Sequence, residues 1–566
     1  MFFLRPDSPA HRRYEALRAY LAQGLPASEA AARFGYTPAS LLSAVRDFRA
    51  GAREFFVTGR PGPKTAPAKD AARPRIIELR AAGHSIDEIA EALAAEGTPL
   101  NRTGIAEVIA AEGLPRLWRR PDAERGGPAR EIQARAGALD FAALPERAET
   151  RLAGLLLAVP DLIALGVPDM VTAAGYPSTG KIPAVSYVLS LLALKLTSTR
   201  RVSHVYDIAA DPGAALFAGL TALPKATALT TYSYRLEHSR QAAFLAALDK
   251  AALAAGLASG EALNLDFHAV MHWGEDPVLE KHYVPRRSQR TRSVLTFFAE
   301  DAATHTLLYA NADLAKASQN REVIAFADHW KNLTGHDPEL LIFDSKLTTQ
   351  AVLAELDDRK IGFITLRARH PGVTRALAAL PATAWAPVNL GRAGNKTRRV
   401  KVHDDPAAQL SAYPRPIRQL AVTGLGHDQP TLLITNRAGL PARQVIQSYA
   451  RRMNIEQRLA EAIQAFSLDA LAGAVPLNVD LDVVLSVLAS TVCAALRRRL
   501  PGYGTATPDT LQRRFLNTGG IIENHHGQIT IRLSRRTYSP ILRQASLPET
   551  ITVPWWGGRT LRYQYD

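Results

Sequence analysis

At 566 residues the chain is too long for one ordinary core, and its 47% hydrophobic and 21% charged residues exclude a wholly disordered protein. A formal charge of +15 points to a polyanionic partner, because Lys and Arg gain affinity for phosphates by releasing counterions. The lone cysteine, Cys493, rules out an internal disulfide and a Cys-based zinc site and suits a reducing cytoplasm.

Residues 1–58 read as a helix-turn-helix module: "HRRYEALRAYLAQG", "SEAAARFG" and "TPASLLSAVRDFR". Gly35 suits the tight turn, Thr37 the cap and Pro38 the first helical position, while Ala30 and Ala31 permit a close crossing. Residues 59–74 read as a basic Pro/Gly linker whose Arg60 and Lys64 are candidates to track DNA phosphates or enter a minor groove. A second helix-turn-helix module is expected over 75–120: a helix from Arg75, a capping box from Ser85 to Glu88, and "NRTGIAEVIAAEG" as recognition helix. A polar linker follows at 121–147.

Residues 148–260 read as a helical packing or dimerisation domain. The pattern then changes. "EALNLDFHAV" alternates Leu263, Leu265 and Phe267 against Asn264, Asp266 and His268, as a half-buried strand does. "SVLTFFAED" and "HTLLYANADL" read as a hairpin, a helix follows, "PELLIFDSK" suits a buried strand, and a further helix leads to the strand "IGFITLRAR". Three strands, helix, strand, helix, strand is the ribonuclease-H-like order, with its first and fourth strands side by side. The expected fold is therefore multidomain: all-α helix-turn-helix modules, then an α/β ribonuclease-H-like core over 261–370 and 438–500. A β-rich insertion at 371–437 ("TRRVKVHD", "PIRQLAVTGLG", "QPTLLITNR") interrupts the core, and a β-containing segment closes the chain at 501–566. The apolar run "LDVVLSVLASTVCAAL" is shorter than a bilayer span, and "MFFLRPDSPAHRR" lacks the apolar stretch of a signal peptide, so a cytoplasmic protein with no membrane partner is expected.

Adjacent strands bring Asp266 and Asp344 together at a sheet edge. Two such carboxylates repel unless hydrogen-bonded, protonated or bridged by a cation, and oxygen ligands select Mg²⁺ or Mn²⁺. A third carboxylate is expected from a helix, and "SYARRMNIEQRLAEA" supplies Glu456 on one face with Tyr449 and Arg452, at spacings of three and four.

These features resemble the DDE transposases of bacterial insertion sequences, in the subgroup whose signature is Tyr-Arg-Glu-Lys with a β-rich insertion in the ribonuclease-H-like core. The resemblance covers roughly Ala148 to the C-terminus. It implies that Asp266, Asp344 and Glu456 hold two Mg²⁺ ions, about 4 Å apart, for in-line attack on a scissile phosphate. It implies that Tyr449 and Arg452 grip transposon-end phosphates and that Trp385, beside a basic run, stacks on an extrahelical base. The partners implied are double-stranded transposon ends and target DNA, with a homodimer in the synaptic complex and a nucleoid-associated location. The signature's Lys falls at Ile463, and Arg451 or Lys346 are the substitutes at hand. A ribonuclease-H-fold nuclease and a transposase-derived DNA-binding protein without catalysis are the alternatives. His268 reads as a structural histidine, Asp276, Asp301 and Asp313 as solvated loop residues, and His525 and His526 as exposed turn residues.

Overall fold

Two compact units make up the chain, Met1–Arg130 and Glu131–Asp566. The computed structural model describes residues 6, 8–51, 67–115, 117, 135–271, 281–284, 289–314, 317–393, 396–426, 428–468, 476–525 and 527–565. Within these, the side chains of 271, 281–284, 289, 392–393, 396–397, 453–460, 462 and 476–478 are not described. Arg60, Lys64, Asp276 and His526 lie outside the described residues.

In the first unit, α1 (Pro9–Leu21), α2 (Ala27–Arg33) and α3 (Pro38–Arg49) close over a core that includes Ala16, Leu17, Phe34, Leu41 and Val45. Ala30 and Ala31 are fully buried where the helices meet. Gly35 turns at φ +71°, a conformation that costs a residue with a Cβ, and the Thr37 hydroxyl accepts the Ser40 N–H at 3.2 Å to start α3. A second trihelical core follows in α4 (Pro67–Ala81), α5 (Ile86–Ala95) and α6 (Arg102–Ala111), around Ile76, Leu79, Ile89, Leu93, Ile105 and Val108. The Ser85–Glu88 capping box is formed. The expected linker, however, is partly helix, because α4 starts at Pro67 and carries Pro74 inside it. Pro67 suits the first turn, Ala72 is buried with Ile76, and ion pairs run from Lys69 to Glu107 and from Arg73 to Glu112.

The second unit opens with strand β1 (Arg147–Thr150). Helices α7 (Val159–Ala164), α8 (Val167–Ala173), α9 (Ala184–Leu196), α10 (Pro212–Ala218), α11 (Ala226–Tyr232) and α12 (His238–Ala254) follow. Then come β2 (Leu263–Met271), β3 (Lys281–Val284), β4 (Gln289–Asp301), β5 (Leu307–Asn311), α13 (Glu322–Thr334), β6 (Leu340–Phe343), α14 (Gln350–Asp358), β7 (Gly362–Leu366) and α15 (Pro371–Ala378). The next strands are β8 (Ala386–Ala393), β9 (Lys396–Ala408), β10 (Ile417–Thr423) and β11 (Thr431–Thr435). Two long helices, α16 (Ala442–Phe466) and α17 (Pro476–Arg499), precede β12 (Gly520–His525), β13 (Gln528–Leu533), β14 (Thr550–Val553) and β15 (Arg559–Tyr565).

The large sheet has the order β3-β4-β2-β6-β7-β11-β10-β9-β8, with β5 on β4. β2, β6 and β7 run parallel, and β2–β4 and β4–β5 are antiparallel. The strands of the 371–437 segment number four rather than three, and they extend this sheet through β11 on β7. Its two faces differ. Leu263, Leu265, Leu341, Phe343 and Phe363 point into a core shared with the helical region, α17 and the C-terminal strands. Ile342, Ile364, Leu420 and Leu433 point the other way, against Val445, Ile446 and Tyr449 of α16.

α17 has the length and apolarity to cross a bilayer, contrary to the sequence expectation, yet 94% of its most apolar window is buried inside the protein. The C-terminal sheet has the order β1-β12-β13-β15-β14, so the helical region contributes its edge strand. Trp556 fixes that junction by donating from Nε1 to the Leu216 carbonyl at 2.8 Å.

Candidate active site

Alternation along β2 turns Leu263 and Leu265 into the core and sends Asn264, Asp266 and His268 to the face covered by α16. On β6, Leu341 and Phe343 face the core while Ile342 faces α16. Leu265 pairs with Phe343 in the parallel register, so Asp266 and Asp344 stand side by side one residue further on. Neighbouring strands are about 4.8 Å apart, which brings two half-buried carboxylates close enough to repel strongly.

Local donors hold each one. The Phe267 N–H donates to Asp266 Oδ1 at 2.9 Å and the Ser345 hydroxyl to Asp344 Oδ1 at 3.1 Å.

α16 brings the rest of the site. Val445, Ile446 and Tyr449 anchor it to the sheet, and Arg452, the next residue on that face, lies with Nη2 3.2 Å from Asp266 Oδ1. Nη1 is 3.5 Å from the Tyr449 hydroxyl and the guanidinium carbon is 5.8 Å from the centre of its ring. Burial, together with the negative charge of Asp344 and Asp266, outweighs the Arg452 charge and pushes the Tyr449 phenol up to about 12. Glu456 lies one turn beyond Arg452 on α16, and its side chain is outside the described residues. Among the described residues no group of three or more His, Cys, Asp and Glu is placed to hold a metal. The donor chemistry still fits a hard divalent cation, because the two groups that the register sets side by side are carboxylates, hard oxygen donors.

The other expected residues are packed to different degrees. Tyr449 and Arg452 are 6% and 2% exposed, so neither meets solvent where a DNA phosphate would lie. The reason is packing, since the phenol ring belongs to the apolar cluster under α16. Trp385 is half-buried against Leu377, Ala421 and Leu432, 5.9 Å from the His403 ring, at the end of β8. Ile463, at the signature's Lys position, is a core residue, whereas Arg451 and Lys346 are exposed. Asp301 is not solvated. It is fully buried and accepts from the backbone of Ser259, Gly260, Ala303 and Thr304 and from two hydroxyls, tying the β4–β5 turn to the strand entry. His268 is half-buried, Asp313 is exposed and His525 is exposed, as expected.

Sequence reading missed the buried charges elsewhere. Lys195 Nζ sits 2.5 Å from Asp482 Oδ1 and donates to the Phe466 carbonyl at 2.8 Å. Burial lowers the lysine's pKa and raises the aspartate's. Asp480, on the same helix, accepts from Gln241 and meets His238, and Asp249 meets His329 at 3.2 Å. The signal was present: Asp480 and Asp482 interrupt an apolar run and therefore require buried partners.

In the first unit, α3 exposes Ser40, Ser43, Arg46 and Arg49 along one face, the arrangement of a helix that enters a groove. A helix-turn-helix domain family model matches residues 12–64. No curated protein matches the chain. The N-terminal region thus contains a helix-turn-helix DNA-binding domain, followed by a mixed helix-and-sheet unit.

Proposed function

We propose that the chain is a DNA transposase of the DDE type, which binds element ends and cleaves and joins DNA strands in a cut-and-paste manner. The observation that carries this reading is the register of β2 and β6, which sets Asp266 beside Asp344 beneath the helix that carries Tyr449, Arg452 and Glu456. The strand order β5-β4-β2-β6-β7, read as 3-2-1-4-5, supports a ribonuclease-H-like core. A helix-turn-helix domain typical of transposase N-termini supports the DNA partner.

In this reading Asp266, Asp344 and Glu456 hold two Mg²⁺ ions, with Mn²⁺ as a substitute. Bound there, the ions supply Lewis acidity for attack on phosphorus and for departure of the 3′-oxygen. The chain's own contribution is placement. Phe267 N–H and Ser345 Oγ fix one oxygen of each aspartate, and the apolar packing of α16 fixes the height of Glu456 above the sheet. The helix-turn-helix domain delivers the DNA, a homodimer brings two ends together, and the protein works in the cytoplasm on the nucleoid.

The test is cleavage of end DNA by single variants. Asp266→Asn, Asp344→Asn and Glu456→Gln should each reduce Mg²⁺-dependent nicking by on the order of 10³-fold or more with end binding retained, since each removes charge that an amide cannot supply. A variant of any of the three that nicks at the wild-type rate removes that residue from the site. Nicking without strand joining would instead identify a nuclease of the same fold.

A further inference from the structure

A guanidinium that grips DNA must reach solvent, and that of Arg452 is 2% exposed. Its surroundings are those of a counter-ion. Nη2 lies 3.2 Å from Asp266 Oδ1 but is not aligned for a hydrogen bond, and among the described residues the buried Nε has no hydrogen-bond partner. The contact is therefore mainly charge on charge. It falls where the fold needs it, because Asp266 and Asp344 stand side by side in a partly desolvated place and would otherwise raise each other's free energy. Tyr449 completes the arrangement. Its ring and hydroxyl lie against the guanidinium.

We propose that Arg452 is the internal counter-ion of Asp266, a positioning residue that offsets the repulsion between Asp266 and Asp344 and yields Asp266 to an arriving divalent cation. This rests on the metal-site reading above. Guanidinium and metal ion compete for the same carboxylate, because two cations on one oxygen repel at close range. Arg452 therefore sets how much Mg²⁺ the site needs, and the grip on DNA belongs to other residues.

Thermal unfolding of the full-length protein, with EDTA or with rising MgCl₂, tests this without reference to catalysis. Arg452→Gln should lower the melting temperature in EDTA by removing the positive charge beside Asp266. It should also bring half-maximal Mg²⁺ stabilisation to about tenfold lower concentration, the effect of removing one competing ion pair. The double variant Asp266→Asn/Arg452→Met, which removes both charges, should recover most of the loss in EDTA and remains measurable even where Arg452→Gln does not fold. Arg452→Lys keeps the charge and should stay near wild type. End-DNA affinity and its salt dependence should not change. A double variant as unstable as Arg452→Gln overturns the pairing. So does an Arg452→Gln protein with an unchanged Mg²⁺ midpoint and a log–log salt slope reduced by about one, the mark of a lost phosphate contact. If Mg²⁺ and Mn²⁺ stabilise neither wild type nor Arg452→Gln while the double variant still recovers, the pairing stands and the metal-site reading falls.

Discussion

In the second trihelical module Arg75–Glu96 and Arg102–Asp87 lie at the surface, whereas in the sheet unit Lys195–Asp482, Arg452–Asp266 and His329–Asp249 are buried or nearly so. Exposed pairs contribute little and weaken with salt, while a buried charge that loses its partner is costly. The two settings therefore leave charge free for different work. Surface charge in the first unit is available to meet a polyanion, and buried charge in the second fixes geometry. The first unit is itself divided. Residues 8–51 carry six Lys and Arg against three Asp and Glu, a net +3, but residues 67–115 carry five against eight, a net −3. A shared trihelical shape does not imply a shared DNA contact.

The sharpest break of this contrast is to remove one buried partner. Asp482→Ala leaves Lys195 uncompensated and should destabilise the sheet unit by about 3–5 kcal/mol in urea unfolding. Replacing both residues with apolar ones of similar size should recover much of that loss. Glu96→Ala, at a surface pair, should leave the transition unmoved.

A pH scan addresses the same contrast. Burial pushes the Asp249 carboxyl up to about 7. A carboxyl raised on folding gives stability that is complete below about pH 4, where both states are protonated, and that is lost as pH rises through about 7. Wild type should therefore lose melting temperature relative to Asp249→Asn across that window. Parallel curves for the two proteins would remove Asp249 as the source.

Within the first unit, Arg49→Ala should lower the log–log salt slope of end-DNA binding by about one, because Arg49 is an exposed cation in the last turn of α3. Arg102→Ala should leave the slope alone, since Arg102 is paired with Asp87 in a module of net negative charge. Equal effects would restore the second module as a DNA contact. The smallest expected effect is Thr37→Ala, which removes the α3 cap and should cost about 1 kcal/mol, read by hydrogen exchange in that helix.

What the sequence made legible was local or periodic. Gly35, Thr37, Pro38 and the Ser85–Glu88 box declare themselves within four residues, and the alternation around Asp266 sets its face. The less legible features depend on distant partners. β8 is masked by Pro387, Asn389 and Gly391, poor strand formers that are tolerated at the sheet's edge. The burial of Arg452 depends on β2, and that of Asp301 on the Ser259–Gly260 backbone. Spacing alone placed Tyr449 and Arg452 on one helical face, and it could not say that this face is covered.

The pairing of Thr150 with Gly520 has a consequence in time. β1 leaves the ribosome some 370 residues before its partner strand. At roughly 5–20 residues per second that delay is on the order of 20–70 s. The first unit is made of sequence-local helix contacts, which form in far less time. A nascent chain therefore presents a finished helix-turn-helix domain while the edge strand β1 still waits for its partner β12. During synthesis the protein can bind DNA well before it can be whole.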